Sequence, residues 1–171
     1  VFPESHGSTA WGDAAVIGPW LLYRRYGDLS VLERQYPSMC GWIRFVREQA
    51  GDDLIWSVGN AGFFQEGFQW GDWLDPAAPP NEPNRGITDS SLVASAYFVH
   101  STEIVAEVAA ILGKDDDARA YRELASAARQ AFRREVLSPS GRPVSDSPTA
   151  CALVLEFDLV EGEERRRAAD R

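Results

Sequence analysis

The stretch DSSLVASAYFVHSTEIVAEVAAILGKDDDARAYRELASAARQAFRRE, residues 89–135, decides the fold class. Its apolar residues recur at three- and four-residue steps, the period of an α-helix and not the alternation of a strand. Leu92, Ala96, Val99, Ile104, Val108, Ile111 and Leu112 lie along a first helix, and Asp89-Ser90-Ser91 offers side chains that cap its start. Gly113 ends it. A second helix is expected from Asp115 to Glu135, with Ala118, Tyr121, Leu124, Ala128 and Phe132 on one stripe. Two long helices with so short a link fold back on each other as a hairpin.

The same period continues on both sides. Upstream, Val16, Ile17, Trp20, Leu21 and Tyr23 form a stripe from Asp13 to Tyr26, closed by Gly27-Asp28. Pro19 inside it predicts a late start or a kink. Leu32, Tyr36, Met39, Ile43 and Val46 form another, in which Pro37 marks a possible fresh helix start. Downstream, Ser138-Pro139-Ser140-Gly141 is a turn, and Arg142 to Ser145 is a candidate extended arm. A short, Ala-rich helix is expected from Thr149 to Phe157 and a last one from near Glu161. The fold class is all-α, built of antiparallel helical hairpins.

Composition limits what such a fold does. The chain has 171 residues, enough for one globular domain or a piece of a larger one. Seventeen basic residues face twenty-six acidic ones, a net charge of −9, which argues against a nucleic-acid partner. The one basic cluster, Arg165-Arg166-Arg167, follows Glu161, Glu163 and Glu164 and reads as a solvated helical face. No apolar run reaches the ~18 residues of a membrane helix, and no leader-like segment opens the sequence. The sequence starts at Val1 and its single methionine is Met39, so the expectation is a processed precursor or a piece of something longer. Cys40 and Cys151 lie in apolar helical stretches and are expected as buried thiols. With two histidines and no close Cys/His spacing, no metal site is expected, and no phosphate-cradling glycine loop calls for a cofactor.

One connection is not short. From Gly51 to Thr88 there is no helical period, yet the segment carries Trp56, Phe63, Phe64, Phe68, Trp70 and Trp73, then a Pro-rich run from Pro76 to Pro83. A long irregular segment this aromatic reads as a site-building loop. Its densest part is Gly67-Phe68-Gln69-Trp70-Gly71-Asp72-Trp73-Leu74-Asp75-Pro76, with an echo at Ala10-Trp11-Gly12-Asp13. Both set an indole and a carboxylate beside a glycine. A sugar asks for this pairing: its C–H face stacks on a large rigid ring, and its hydroxyls donate to carboxylate oxygens. The bland alternative makes Asp13 an N-cap and the tryptophans core, which is the reading for Trp20, Trp42 and Trp56. Glu66 and Asp75 flank the same loop, but spacing within a loop does not set two carboxyls across a bond. His100, mid-helix among apolar residues, reads as a core histidine.

The runs Ala10-Trp11-Gly12-Asp13-Ala14-Ala15-Val16-Ile17, Pro19-Trp20, Leu22-Tyr23, Tyr26-Gly27-Asp28, Leu32 to Met39, Gly71-Asp72-Trp73-Leu74 and Ala96-Tyr97-Phe98 together resemble the catalytic domain of bacterial α-L-rhamnosidases, glycoside hydrolase family 78. The resemblance runs through most of the chain in consistent order. It implies an (α/α)6 toroid, of which residues 1–171 make a central part carrying the aromatic loop at about 51–88. It implies hydrolysis of terminal α-L-rhamnosides with inversion, which uses an acid and a base with a water between them. It places the acid, a Glu in an Arg-Glu-Arg-type motif, upstream of this sequence and the base, another Glu, downstream of Arg171. It carries over Trp11 and Trp73 as walls of the rhamnose pocket, and Asp13 and Asp72 as supporting or hydroxyl-binding carboxylates. The implied partner is a rhamnose-containing glycoside or oligosaccharide. The sequence departs from the family at Pro148, where a Gln is usual, which puts the start of the Ala-rich helix in doubt. The alternatives are another (α/α)6 carbohydrate-active enzyme, such as an α-glucan hydrolase, or a non-catalytic helical interaction module of the solenoid type. No fixed 34- or 40-residue repeat supports the last.

Overall fold

The computed structural model describes residues 7–57, 69–83 and 86–171. Among them it forms six helices: α1 (Ala14–Tyr26), α2 (Leu29–Ala50), α3 (Ser90–Ile111), α4 (Asp115–Val136), α5 (Pro148–Glu156) and α6 (Gly162–Ala169). The fold class is all-α, and the only ladder-like pairing among the described residues is one antiparallel bridge between Leu137 and Pro143, where the extended arm was expected.

Local chemistry sets the boundaries. Asp89 caps α3 by accepting from the Leu92 N–H at 2.9 Å, and Ser147 caps α5 by accepting from Ala150 at 3.1 Å. Pro148 occupies the first position of α5, where its missing N–H leaves nothing unsatisfied, so the departure from the family pattern leaves the helix intact. Gly113 closes α3 at φ +69°, a left-handed conformation suited to glycine, and the Lys114 N–H folds back to the Ala109 carbonyl at 2.9 Å. Neither interior proline divides its helix. α2 runs unbroken through Pro37, which sits on the solvent side, and the Ser38 hydroxyl donates to the Gln35 carbonyl at 2.9 Å. α1 likewise starts at Ala14 and continues past Pro19.

Consecutive helices pair as α1–α2, α3–α4 and α5–α6, and α1, α3 and α5 also touch in sequence. The hydrogen bonds give their directions. The Tyr36 hydroxyl on Asp117 (2.8 Å) puts the start of α2 beside the start of α4, and the Trp56 N–H on Ser95 (3.2 Å) puts the exit of α2 beside the start of α3. Thr88 and Ser147 hydroxyls meet at 2.7 Å, so α5 starts where α3 starts. α1, α3 and α5 therefore run the same way as an inner row, and α2, α4 and α6 return outside it. The sequence of the two classes follows from this. α3, enclosed by α1, α2, α4 and α5, buries most of its length, including Leu92, Phe98, Val99, Val105 and Val108. α4 buries one stripe, Ala118, Ala125, Ala128, Phe132 and Val136, and leaves its charged side to solvent. Cys40 is half-buried, Cys151 is buried, and both are free thiols. The basic face of α6 is solvated as expected, with Arg165 on Asp158 at 2.8 Å and Arg166 on Glu163. No helix among the described residues is long and apolar enough to cross a membrane.

Candidate functional site

The connection between α2 and α3 returns over the N-terminal ends of α3 and α5 and meets the segment that precedes α1. Two polar seams hold it there. In the first, Gln69 is 4% exposed and its side-chain oxygen accepts from the Thr9 N–H (2.8 Å) and the Thr9 hydroxyl (2.9 Å). Beside it the Trp70 N–H donates to the Ser8 hydroxyl at 3.0 Å. In the second, the Thr88 hydroxyl lies 2.7 Å from the Asp72 carboxylate and 2.7 Å from the Ser147 hydroxyl, tying the loop to the cap of α5.

These seams bring Trp11 and Trp73 onto one cluster. Trp11 stacks on Trp70 with centroids 5.3 Å apart and planes 27° apart. Trp73 meets the same Trp70 ring edge-on, at 4.6 Å and 82°. Trp11 remains 51% exposed, a large apolar face left open to solvent beside half-buried Asp72 and Trp73.

Asp13 lies behind this face. It is 0% exposed, and its carboxylate accepts from the Trp42 indole N–H (2.8 Å), the Ser101 hydroxyl (2.5 Å) and the Ala10 N–H (2.8 Å). Burial raises its pKa above the ordinary carboxylate value, and the three donors oppose that rise without cancelling it. Asp13 occupies the N-cap position of α1 in helical geometry, φ −64° and ψ −15°, with no cap bond from its side chain, so the capping alternative is corrected. The glycine between has its own reason: a Cβ on Gly12 would sit 2.1 Å from the Trp42 ring. Trp42, expected as plain core, is thus the neighbour that shapes Trp11-Gly12-Asp13. Ala10 takes a left-handed φ of +65°, and the Asp13 carboxylate on its N–H holds the turn from which Trp11 projects.

The other flagged groups have structural surroundings. Asp75 accepts from the Ala77 and Ile87 N–H groups at 2.8 and 2.7 Å, which lowers its pKa and occupies both oxygens. Gly86 lets this turn close, since a Cβ there would lie 2.7 Å from the Asp75 Cβ. Glu66, Phe63, Phe64, Gly67 and Phe68 lie outside the described residues. The His100 ring stacks on Phe157 at 4.0 Å and 6°, and burial lowers its pKa. Trp20 and Trp56 are buried core. No group of three or more His, Cys, Asp or Glu suited to a metal ion occurs among the described residues. An open groove of about 400 Å³ between α3 and α4, floored by Ala106, Ala110 and Ala125, contains none of the flagged residues.

A family model described as the bacterial alpha-L-rhamnosidase 6 hairpin glycosidase domain matches residues 1–171. The chain belongs to that family. It is 34% identical to an alpha-L-rhamnosidase of Streptomyces avermitilis over 166 residues, which is 97% of this chain and 14% of that protein. It is 35% identical to one of Alteromonas sp. strain LOR, over 92% of this chain and 16% of that protein. Its fold matches the crystal structure of an alpha-L-rhamnosidase from Aspergillus terreus with TM-score 0.84 and 33% identity, over 97% of this chain and 19% of that one. It matches the Streptomyces avermitilis alpha-L-rhamnosidase complexed with L-rhamnose with TM-score 0.78 and 35% identity, over 96% of this chain and 14% of that one. The chain spans about one seventh of the length of the curated relatives it matches. The hairpins α1–α2, α3–α4 and α5–α6 are units of this rhamnosidase-family fold, and the aromatic cluster lies where the loop after the first of them crosses the inner row. Nothing in the linear sequence gives Gln69, Thr88 or Trp42 a place in the site, because each acts through a partner at least sixteen residues away.

Proposed function

We propose that residues 1–171 are a central part of an (α/α)6 rhamnosidase domain whose full-length protein hydrolyses terminal α-L-rhamnosides with inversion of configuration. Trp11, Trp73 and Asp72 face the rhamnosyl unit, the indoles against its C–H faces and the carboxylate toward its hydroxyls. Asp13, the carboxylate left with either a supporting or a hydroxyl-binding role, takes the supporting one. The observation that carries this reading is the meeting of Trp11 and Trp73 on one ring, Trp70, from segments sixty residues apart, with one indole half open to solvent. A core tryptophan would be enclosed. A stacking platform has to be open on one face.

The test is release of p-nitrophenol from p-nitrophenyl α-L-rhamnoside by the full-length protein, with the anomer formed first followed by NMR. The expected result is turnover giving β-L-rhamnose as the first product. Retention of configuration refutes the inverting mechanism, and turnover of α-glucosides alone replaces the substrate class. Residues 1–171 alone are expected to give no turnover. The acid and the base both lie outside them on this reading, and positioned proton transfer is worth about 10²–10⁴-fold per group. Turnover by this segment that Glu66→Gln or Asp75→Asn abolishes would overturn that assignment.

A further inference from the structure

We infer that Trp70 is a positioning residue for the rhamnoside site: it sets the angle between the two exposed-face tryptophans and reaches the sugar only through them. The inference rests on the rhamnoside reading above. Trp70 is the only described ring that both Trp11 and Trp73 touch, stacked with the first at 27° and edge-on to the second at 82°, so the planes of Trp11 and Trp73 stand steeply to each other. On this inference the two steep indoles are the walls of a corner, which meets a pyranose by one face and one edge where a single platform meets only a face. The corner depends on Trp70 because its two sides come from separate segments: Trp11 precedes α1, and Trp73 lies in the loop before α3. Within that loop Trp70 is held on both sides. Its own N–H donates to Ser8 at 3.0 Å, and the neighbouring Gln69 side chain accepts twice from Thr9. The bonds from Gln69 and Trp70 to Ser8 and Thr9 thus fix the ring against the segment that carries Trp11. The two turns nearest the indoles are constrained as well, with Ala10 at φ +65° before Trp11 and Gly71 at φ +55° between Trp70 and Trp73.

The experiment compares Trp70→Ala, Trp70→Phe and wild type in the full-length protein. The readouts are L-rhamnose affinity by calorimetry, KM and kcat on p-nitrophenyl α-L-rhamnoside, and thermal melting. Losing two aromatic pairs is expected to weaken L-rhamnose binding about tenfold or more and to raise KM by a similar factor, with kcat within about threefold. Trp70→Phe keeps a ring in the same place and restores most of the affinity. A merely structural role has a different signature: a lower folded fraction reduces apparent kcat and leaves KM unchanged. The coupling is read in a Trp11→Ala, Trp73→Ala background, where Trp70→Ala is expected to add no further loss of affinity. An additive loss there means that Trp70 touches the sugar itself and overturns the inference. So does wild-type affinity and KM in a folded Trp70→Ala. If Trp70→Ala fails to fold, Trp70→Leu, which keeps apolar bulk and removes the ring, takes its place, and wild-type affinity and KM in a folded Trp70→Leu overturn the inference equally. Failure of wild type to bind L-rhamnose is a separate outcome, which removes the rhamnoside reading and this inference with it.

Discussion

Asp13→Asn isolates the buried carboxylate of the site. Asp13 is wholly buried and accepts three hydrogen bonds, two on Oδ1 from Trp42 and Ser101 and one on Oδ2 from Ala10. An asparagine keeps one acceptor oxygen and turns the other into a donor. If its oxygen stays toward Trp42 and Ser101, its NH2 faces the Ala10 N–H. If it flips, the NH2 faces the Trp42 N–H, while the Ser101 hydroxyl can rotate to accept. Either way one buried N–H loses its acceptor, which costs about 1–3 kcal/mol. Relief of the buried charge offsets part of this, so a net loss of about 1–2 kcal/mol is expected at pH 7. Asp13→Ala strands both N–H groups and is expected to cost about 3–5 kcal/mol, a large share of the 5–15 kcal/mol by which domains are typically stable.

The assay is urea unfolding followed by circular dichroism, at neutral pH and again at acid pH. Because burial raises the pKa of folded Asp13 above its ordinary 3.8, the folded state binds more protons than the unfolded state between the two values. Its contribution to stability therefore improves as pH falls through that window, and its penalty is fully present above it. Asn does not titrate, so the gap between wild type and Asp13→Asn is expected to widen on acidification. In the Asp13→Asn background Trp42→Phe removes the N–H that has lost its acceptor, and is expected to cost less than it does in wild type. An Asp13→Asn variant within about 0.5 kcal/mol of wild type, with a gap that ignores pH, refutes the role given to this carboxylate.

In the full-length protein Trp73→Ala should raise KM with little loss of stability, by about 1–3 kcal/mol of binding, the scale of an aromatic contact with its buried area; a loss of roughly 3–5 kcal/mol in unfolding would make it a core residue instead. Gly12→Ala drives a Cβ to 2.1 Å from the Trp42 ring and should destabilise by about 1–3 kcal/mol in thermal or urea unfolding, where an unchanged midpoint would contradict the packing. His100 is held below its ordinary 6.5 by burial, so the unfolded chain binds more protons between the two values and stability falls as pH drops through 6.5; His100→Gln should flatten that slope in melting curves taken between pH 7.5 and 5.

The helices were legible because each repeats one signal many times. α4 carries its stripe through six turns, and the end signals at Asp89 and Gly113 act on groups within five residues. Pro37 misled for a local reason that the sequence does not contain: it faces solvent, where the carbonyl it leaves unpaired can be hydrated. The site is different in kind. Its pairing of indole with carboxylate was legible as residue types, but the direction of each side chain depends on partners far along the chain, such as Trp42 and Ser101 for Asp13.

The two motifs that look alike in sequence therefore divide the work differently. In Trp11-Gly12-Asp13 the glycine admits the Trp42 ring, which draws the carboxylate inward and leaves the indole outside. In Gly71-Asp72-Trp73 the glycine instead makes the turn, at φ +55°, and the carboxylate stays half-buried on the Thr88 hydroxyl. One carboxylate is wholly buried and locked among three donors, out of reach of a ligand. The other accepts from the Thr88 hydroxyl on Oδ2, and beside the open Trp11 face it is the carboxylate within reach of a hydroxyl from outside. On the proposed function, burial, which no spacing rule reports, is what separates a supporting Asp13 from a hydroxyl-facing Asp72.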